Sequence, residues 1–116
     1  DPLRGPYLRW LAFYGSCFEP AVIDRSMKRD PAPASTSPYG DFDTMLRTLT
    51  NQLEPGPYLL GDRFTAADVL WGSALATGFG LVPSSPAIER YLQAVQSRPA
   101  MIRARARDAE LAAAQA

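Results

Sequence analysis

Tyr58-Leu59-Leu60-Gly61-Asp62-Arg63-Phe64-Thr65-Ala66-Ala67-Asp68 is the stretch whose reading decides the fold. Gly61-Asp62 predicts a tight turn, and Thr65-Ala66-Ala67-Asp68 has the spacing of a capping box. The Thr65 hydroxyl is placed to accept the Asp68 N–H, and the Asp68 carboxylate to accept the Thr65 N–H in return. Phe64 before the cap and Val69 at the fourth helical position have the spacing of a hydrophobic staple. The capping box closes two of the donors that every helix start leaves unpaired. Losing a cap in water costs about 1–2 kcal/mol, and a buried unpaired donor adds about 1–3 kcal/mol. The residues that follow, from Ala66 to about Phe79, carry Val69, Leu70, Trp71, Ala74 and Leu75 with no polar face. Such a helix belongs at the centre of a bundle.

Four further helical segments are expected around it. Asp1-Pro2 reads as a cap followed by proline at the first helical position, opening a helix that runs to about Lys28. Tyr7, Trp10, Leu11, Tyr14, Phe18, Ala21 and Val22 fall at helical spacing along it. Gly15 and Pro20 interrupt it, and Pro20 is expected to bend it. Residues 29–38 hold three prolines with Ser, Thr and Ala, and read as a flexible loop. A second helix is expected from about Tyr39, with Phe42, Met45, Leu46, Leu49 and Leu53 on one stripe, ending at Glu54-Pro55-Gly56. Ser85-Pro86 opens a fourth, with Ile88, Tyr91, Leu92 and Val95 facing inward. Arg98-Pro99 opens a fifth, with Met101, Ile102 and Ala109, fraying into an alanine-rich tail. The fold expected is all-α: a single helical domain over residues 1–116, with about five helices around a buried central one.

Composition removes several classes of function. Twelve basic and twelve acidic residues cancel, which leaves no electrostatic basis for binding nucleic acid or an anionic membrane. The chain has no histidine, so imidazole metal sites and histidine triads are excluded, and no metal site is expected. The one cysteine, Cys17, forms neither an internal disulfide nor a cysteine-rich zinc site, and fits a reducing cytoplasm. Val69–Val82, a charge-free run of fourteen residues containing three glycines, suits a core helix rather than a membrane span. The chain starts without Met at a helix cap, and reads as a piece of a longer protein.

No catalytic constellation emerges. Asp41 and Asp43 form a carboxylate pair, but they lie at a helix start, where acids complement the dipole. Arg103, Arg105 and Arg107 alternate in a way that spreads them around a solvated helix. Gly72, Gly78 and Gly80 suggest close packing rather than a phosphate loop. Cys17 is either a small hydrophobe or a reactive thiol, and no neighbouring cation favours the thiolate. Tyr7, Trp10, Phe13, Tyr14 and Phe18 span a wide arc on one helix. Either some face a second surface, or all pack inside the domain. The first alternative predicts self-association or binding of a hydrophobic dye.

The Tyr58–Asp68 stretch, together with Arg98-Pro99-Ala100, resembles the C-terminal domain of glutathione transferases, and the resemblance runs from Asp1-Pro2 to about Asp108. It implies a parent enzyme whose thioredoxin-like N-terminal domain, absent from this chain, binds glutathione as co-substrate and activates its thiol. This chain would supply the apolar wall for a small electrophile, contribute homodimer contacts, and bind no cofactor itself. Leu8-Arg9-Trp10-Leu11 through Phe18-Glu19-Pro20 is similar to the first-helix pattern of bacterial members. By that resemblance Trp10, Ser16, Cys17, Glu19 and Thr77 are candidate substrate-binding residues. Ser16, Cys17 and Glu19 correspond to beta-class positions near glutathione, although Glu19 replaces a common histidine. Thr77 stands where members often carry a tryptophan, which implies a wider pocket. Phe64, Thr65, Asp68 and Val69 carry over as structure. Two alternatives remain: a non-catalytic interaction module of the kind found in translation-factor and synthetase complexes, and a free-standing helical protein, which the start at a helix cap disfavours.

Overall fold

In the computed structural model, which describes residues 1–116 apart from the side chain of Phe79, the first helix is two α segments joined by one widened turn. These are α1 (Arg4–Phe13) and α2 (Glu19–Ser26), with a π turn over Tyr14–Phe18 between them. The Glu19 N–H donates to the Tyr14 carbonyl five residues back. Pro20 explains the position of this turn. It offers no N–H to the carbonyl four residues earlier, and its ring crowds that carbonyl. Inserting an extra residue into the preceding turn relieves the clash, so the irregularity lies ahead of the proline.

The widened turn also settles the aromatic surplus. An ideal helix would carry Phe18 about 80° past Trp10, whereas the π turn rotates it back toward the same face. Trp10 and Phe18 are both buried. Trp10, Phe13, Tyr14 and Phe18 all surround Trp71, with ring centroids 4.9–6.1 Å from it. Most of the aromatic face is therefore internal core.

The chain continues through turns and irregular backbone to α3 (Phe42–Leu53). This helix starts three residues later than Tyr39 because Asp41 is the cap, its Oδ1 accepting the Thr44 N–H at 2.7 Å. Met45, Leu49 and Leu53 are buried, while Phe42 and Leu46 pack at the margin. After Leu53 a tight reversal leads into α4. The Tyr58 and Gly61 backbones exchange hydrogen bonds at 3.0 and 3.2 Å. Gly61 takes φ +89°, and a Cβ on Gly56 would stand 2.7 Å from the Gly61 Cα. Both positions thus require glycine.

Helix α4 (Ala66–Thr77) is the inner rod, but it is not enclosed on every side. Ala67, Asp68, Trp71, Gly72, Ala74 and Leu75 are buried, whereas Ala66, Val69, Ser73, Ala76 and Thr77 face outward. Small residues stand on its inner side and Val69 on its outer side, so its polarity profile conceals its orientation. The helix ends at Thr77 rather than Phe79 because Gly78 adopts the left-handed conformation at φ +57°, as at many helix C-termini. A short 3-10 turn over Gly78–Gly80 follows.

Helix α5 (Pro86–Gln96) is capped by Ser85 and buries Ala87, Ile88, Tyr91 and Val95. It packs closely on α4, because a Cβ at Gly72 would come within 2.7 Å of Val95 Cγ1. Helix α6 (Pro99–Gln115) runs through the alanine-rich tail without fraying, and buries no residue. Only Met101 leans on the core, while Ile102 and Ala109 are exposed. The architecture is an all-α bundle. Among the described residues there is no strand, only two isolated bridges in the Tyr58–Arg63 turn. No described helix is long and apolar enough to cross a membrane.

Candidate functional site

A fully buried carboxylate fixes the position of α4. Asp68 Oδ1 accepts the Leu59 N–H and the Tyr91 hydroxyl, both at 2.9 Å, and Oδ2 accepts the Thr65 N–H at 2.9 Å. The Thr65 hydroxyl takes the Ala67 N–H at 3.2 Å within a closed capping box. Asp68 therefore ties together the turn before α4, the start of α4 and the middle of α5. Tyr91 is held protonated, its phenol pushed far up by burial first and then by the Asp68 charge and hydrogen bond. The role is structural, since all three polar partners are inside the protein.

Phe64 is covered on two sides by Arg98 and Tyr58. The Arg98 guanidinium lies 3.7 Å from its ring centroid, and the Tyr58 ring packs edge-on at 5.3 Å. Arg98 also donates to the Tyr58 hydroxyl at 2.9 Å. Val69 remains 48% exposed, on the rim of an open space between α4 and α6.

At the opposite end of α4, the chain beyond Gly78 brings Leu81 beside the π turn and α2. An apolar groove of about 330 Å³ opens there, lined by Tyr14, Phe18, Glu19, Val22, Ile23 and Leu81, with Ser26 at one end. This is at the small end of the ligand-pocket range. Phe18 and Val22 are core residues, so the floor is rigid, whereas Ile23 is 42% exposed on the rim. The Tyr14 phenol is pushed up by burial, then by the charge of Glu19 and its hydrogen bond. Tyr14 therefore stays a neutral donor, and Glu19 is the charged residue lining the groove. Two larger openings of about 400 Å³ have polar or charged rims. One holds the Asp1–Arg63 ion pair and the other Arg98, Arg105 and Asp108.

The five candidate residues do not share one site. Trp10 is only 1% exposed and packs against Trp71, so its ring is closed to a ligand. Ser16 is exposed and lies outside the groove. Cys17 is half-buried and faces the Pro38 carbonyl at 3.5 Å, with burial pushing its thiol up. It is thus held away from the reactive thiolate form. Thr77 turns its hydroxyl back to the Ala74 carbonyl of its own helix at 3.0 Å. Glu19 alone of the five lines the groove. The groove residues missed by sequence reasoning are Val22, Ile23, Ser26 and Leu81. Tyr14, Phe18 and Val22 form a stripe four residues apart that hinted at one wall, whereas Leu81 is distant in sequence. Among the described residues no group of three His, Cys, Asp or Glu side chains is placed to hold a metal ion.

Fold and site together define an all-α bundle with a carboxylate-locked inner helix and an apolar groove beside it. Residues 39–94, from just before α3 into α5, match the family model of the glutathione S-transferase C-terminal domain. The matched segment is a little under half of the chain, and it is this segment that is similar to that family. No curated protein and no solved structure matches it.

Proposed function

We propose that this domain is the C-terminal half of a glutathione transferase and supplies the wall against which an apolar electrophile is held. The supporting observation is the groove over Phe18, Val22, Ile23 and Leu81, on a bundle whose α3–α5 segment matches that family. The thiol-binding and thiol-activating groups belong to a thioredoxin-like N-terminal domain in this reading, with a homodimer as the assembled form. Glutathione is then a substrate bound largely by that other domain. The residues here desolvate and orient the electrophile, terms that lower a barrier without making or breaking a bond.

The test is the full-length polypeptide that contains this chain. Turnover of an aryl halide with glutathione, and retention on immobilised glutathione, are the expected results. Neither occurring would overturn the proposal.

A further inference from the structure

We infer that Glu19 sets the charge preference of the groove, selecting small apolar molecules with a positive or hydrogen-donating end and rejecting those with an anionic one. The inference rests on the reading of this groove as a ligand site. The occupant's chemistry follows from the lining. Phe18, Val22, Ile23 and Leu81 give apolar floor and walls, and a volume of about 330 Å³ suits a molecule of one or two rings.

Polar groups reach this surface at only three of the lining positions: Tyr14, Glu19 and Ser26. Tyr14 and Ser26 are neutral hydroxyls. The Arg25 guanidinium, on the same helix as Glu19, is committed elsewhere, 3.4 Å over the Phe42 ring. No described cation lines the groove to offset the carboxylate. A ligand carboxylate, sulfonate or phosphate seated here would lose water and meet a like charge across a low-dielectric wall. An ammonium or amide N–H would instead gain a charge-assisted hydrogen bond.

Three naphthyl probes isolate this effect: 1-naphthylmethylammonium, 1-naphthylmethanol and 1-naphthoate, measured by equilibrium dialysis against the full-length polypeptide that contains this chain, at pH 7 and low ionic strength. The expected result is that the ammonium and the alcohol bind, and that the carboxylate binds at least about tenfold more weakly than the ammonium, since each charge contributes a factor of several at this range. Glu19→Gln, at an exposed position that should leave folding intact, is expected to bring all three within about threefold. Equal binding of ammonium and carboxylate to the wild-type chain overturns the charge preference and leaves the groove standing. So does a ratio unchanged by Glu19→Gln. Ile23→Trp, a bulky neutral change on the exposed rim, is expected to weaken binding of all three alike. If no probe binds the wild-type protein, or if Ile23→Trp has no effect, both the groove reading and the preference fall.

Discussion

The indole N–H of Trp71 donates to the backbone carbonyl of Trp10 at 2.9 Å, inside the core. That carbonyl also accepts the Tyr14 N–H within the first helix, so one oxygen joins α4 to the last regular turn before the π turn. Trp71 is thus both the hub of the aromatic cluster and a polar tie. Trp71→Phe keeps much of the packing but removes the donor and leaves space. A loss of about 2–4 kcal/mol is expected in urea unfolding, combining a cavity with a lost hydrogen bond.

Asp68 is the more consequential polar residue, because three donors converge on it. Asp68→Ala leaves the Leu59 N–H, the Thr65 N–H and the Tyr91 hydroxyl unpaired in the interior. At about 1–3 kcal/mol for each abandoned group, the combined loss of about 3–9 kcal/mol is comparable with a domain's whole stability, and the unfolded fraction should rise sharply. Circular dichroism at 25 °C checks this directly. Tyr91→Phe removes one hydroxyl and strands no donor, and is expected to cost only about 1.5–3 kcal/mol. Equal losses for the two variants would contradict the account of Asp68 as a three-way tie.

Contacts between neighbours in sequence were legible, and contacts across the fold were not. The capping box was visible because Thr65 and Asp68 lie within one helical turn of each other. The all-α architecture followed from helical stripes such as Met45, Leu49 and Leu53. The π turn escaped because Pro20 signals a defect without saying on which side the helix absorbs it. That one turn decides whether Phe18 joins Trp10 or faces elsewhere. The groove was hidden for a different reason: Leu81, far from Tyr14 and Val22 in sequence, lines it together with them after Gly78 has ended α4. Trp10, matched to a ligand position by resemblance, is closed off by Trp71, a partner that no local pattern reveals.

Gly72 faces Val95 across the α4–α5 contact, where an added Cβ would lie 2.7 Å from Val95 Cγ1. Val95 is fully buried and β-branched, so its methyl groups have no free rotamer into which to retreat. Gly72→Ala should therefore destabilise by about 1–3 kcal/mol through overpacking, despite alanine's better helix propensity. Adding Val95→Ala should recover part of that loss, giving a favourable coupling in a double-mutant cycle of urea midpoints. Simple additivity would mean that the two helices are not in contact there.

Helix α6 buries no residue, and beyond Arg105, which donates to the Gln96 carbonyl, its polar contacts reduce to the exposed Arg107–Glu110 pair. Such a pair contributes little. Ending the chain after Asp108 should shift stability by no more than about 0.5 kcal/mol, with a loss of helical ellipticity in proportion to the residues removed. A cooperative loss of structure would show that the tail supports the bundle.

Stability should fall on the alkaline side, and Tyr91 should be a principal cause. Its folded pKa is raised by burial and by Asp68, so the folded chain keeps this proton while the unfolded chain releases it near pH 10. The contribution is complete below about pH 10 and declines as pH rises, because the unfolded state then binds fewer protons than the native one. Tyr14 and Tyr39, also raised, act in the same direction and more weakly, being less enclosed. Tyr91→Phe is expected to flatten the decline in urea midpoint between pH 9 and 11 without abolishing it. An unchanged alkaline slope in that variant would mean that Tyr91 is not held protonated against Asp68.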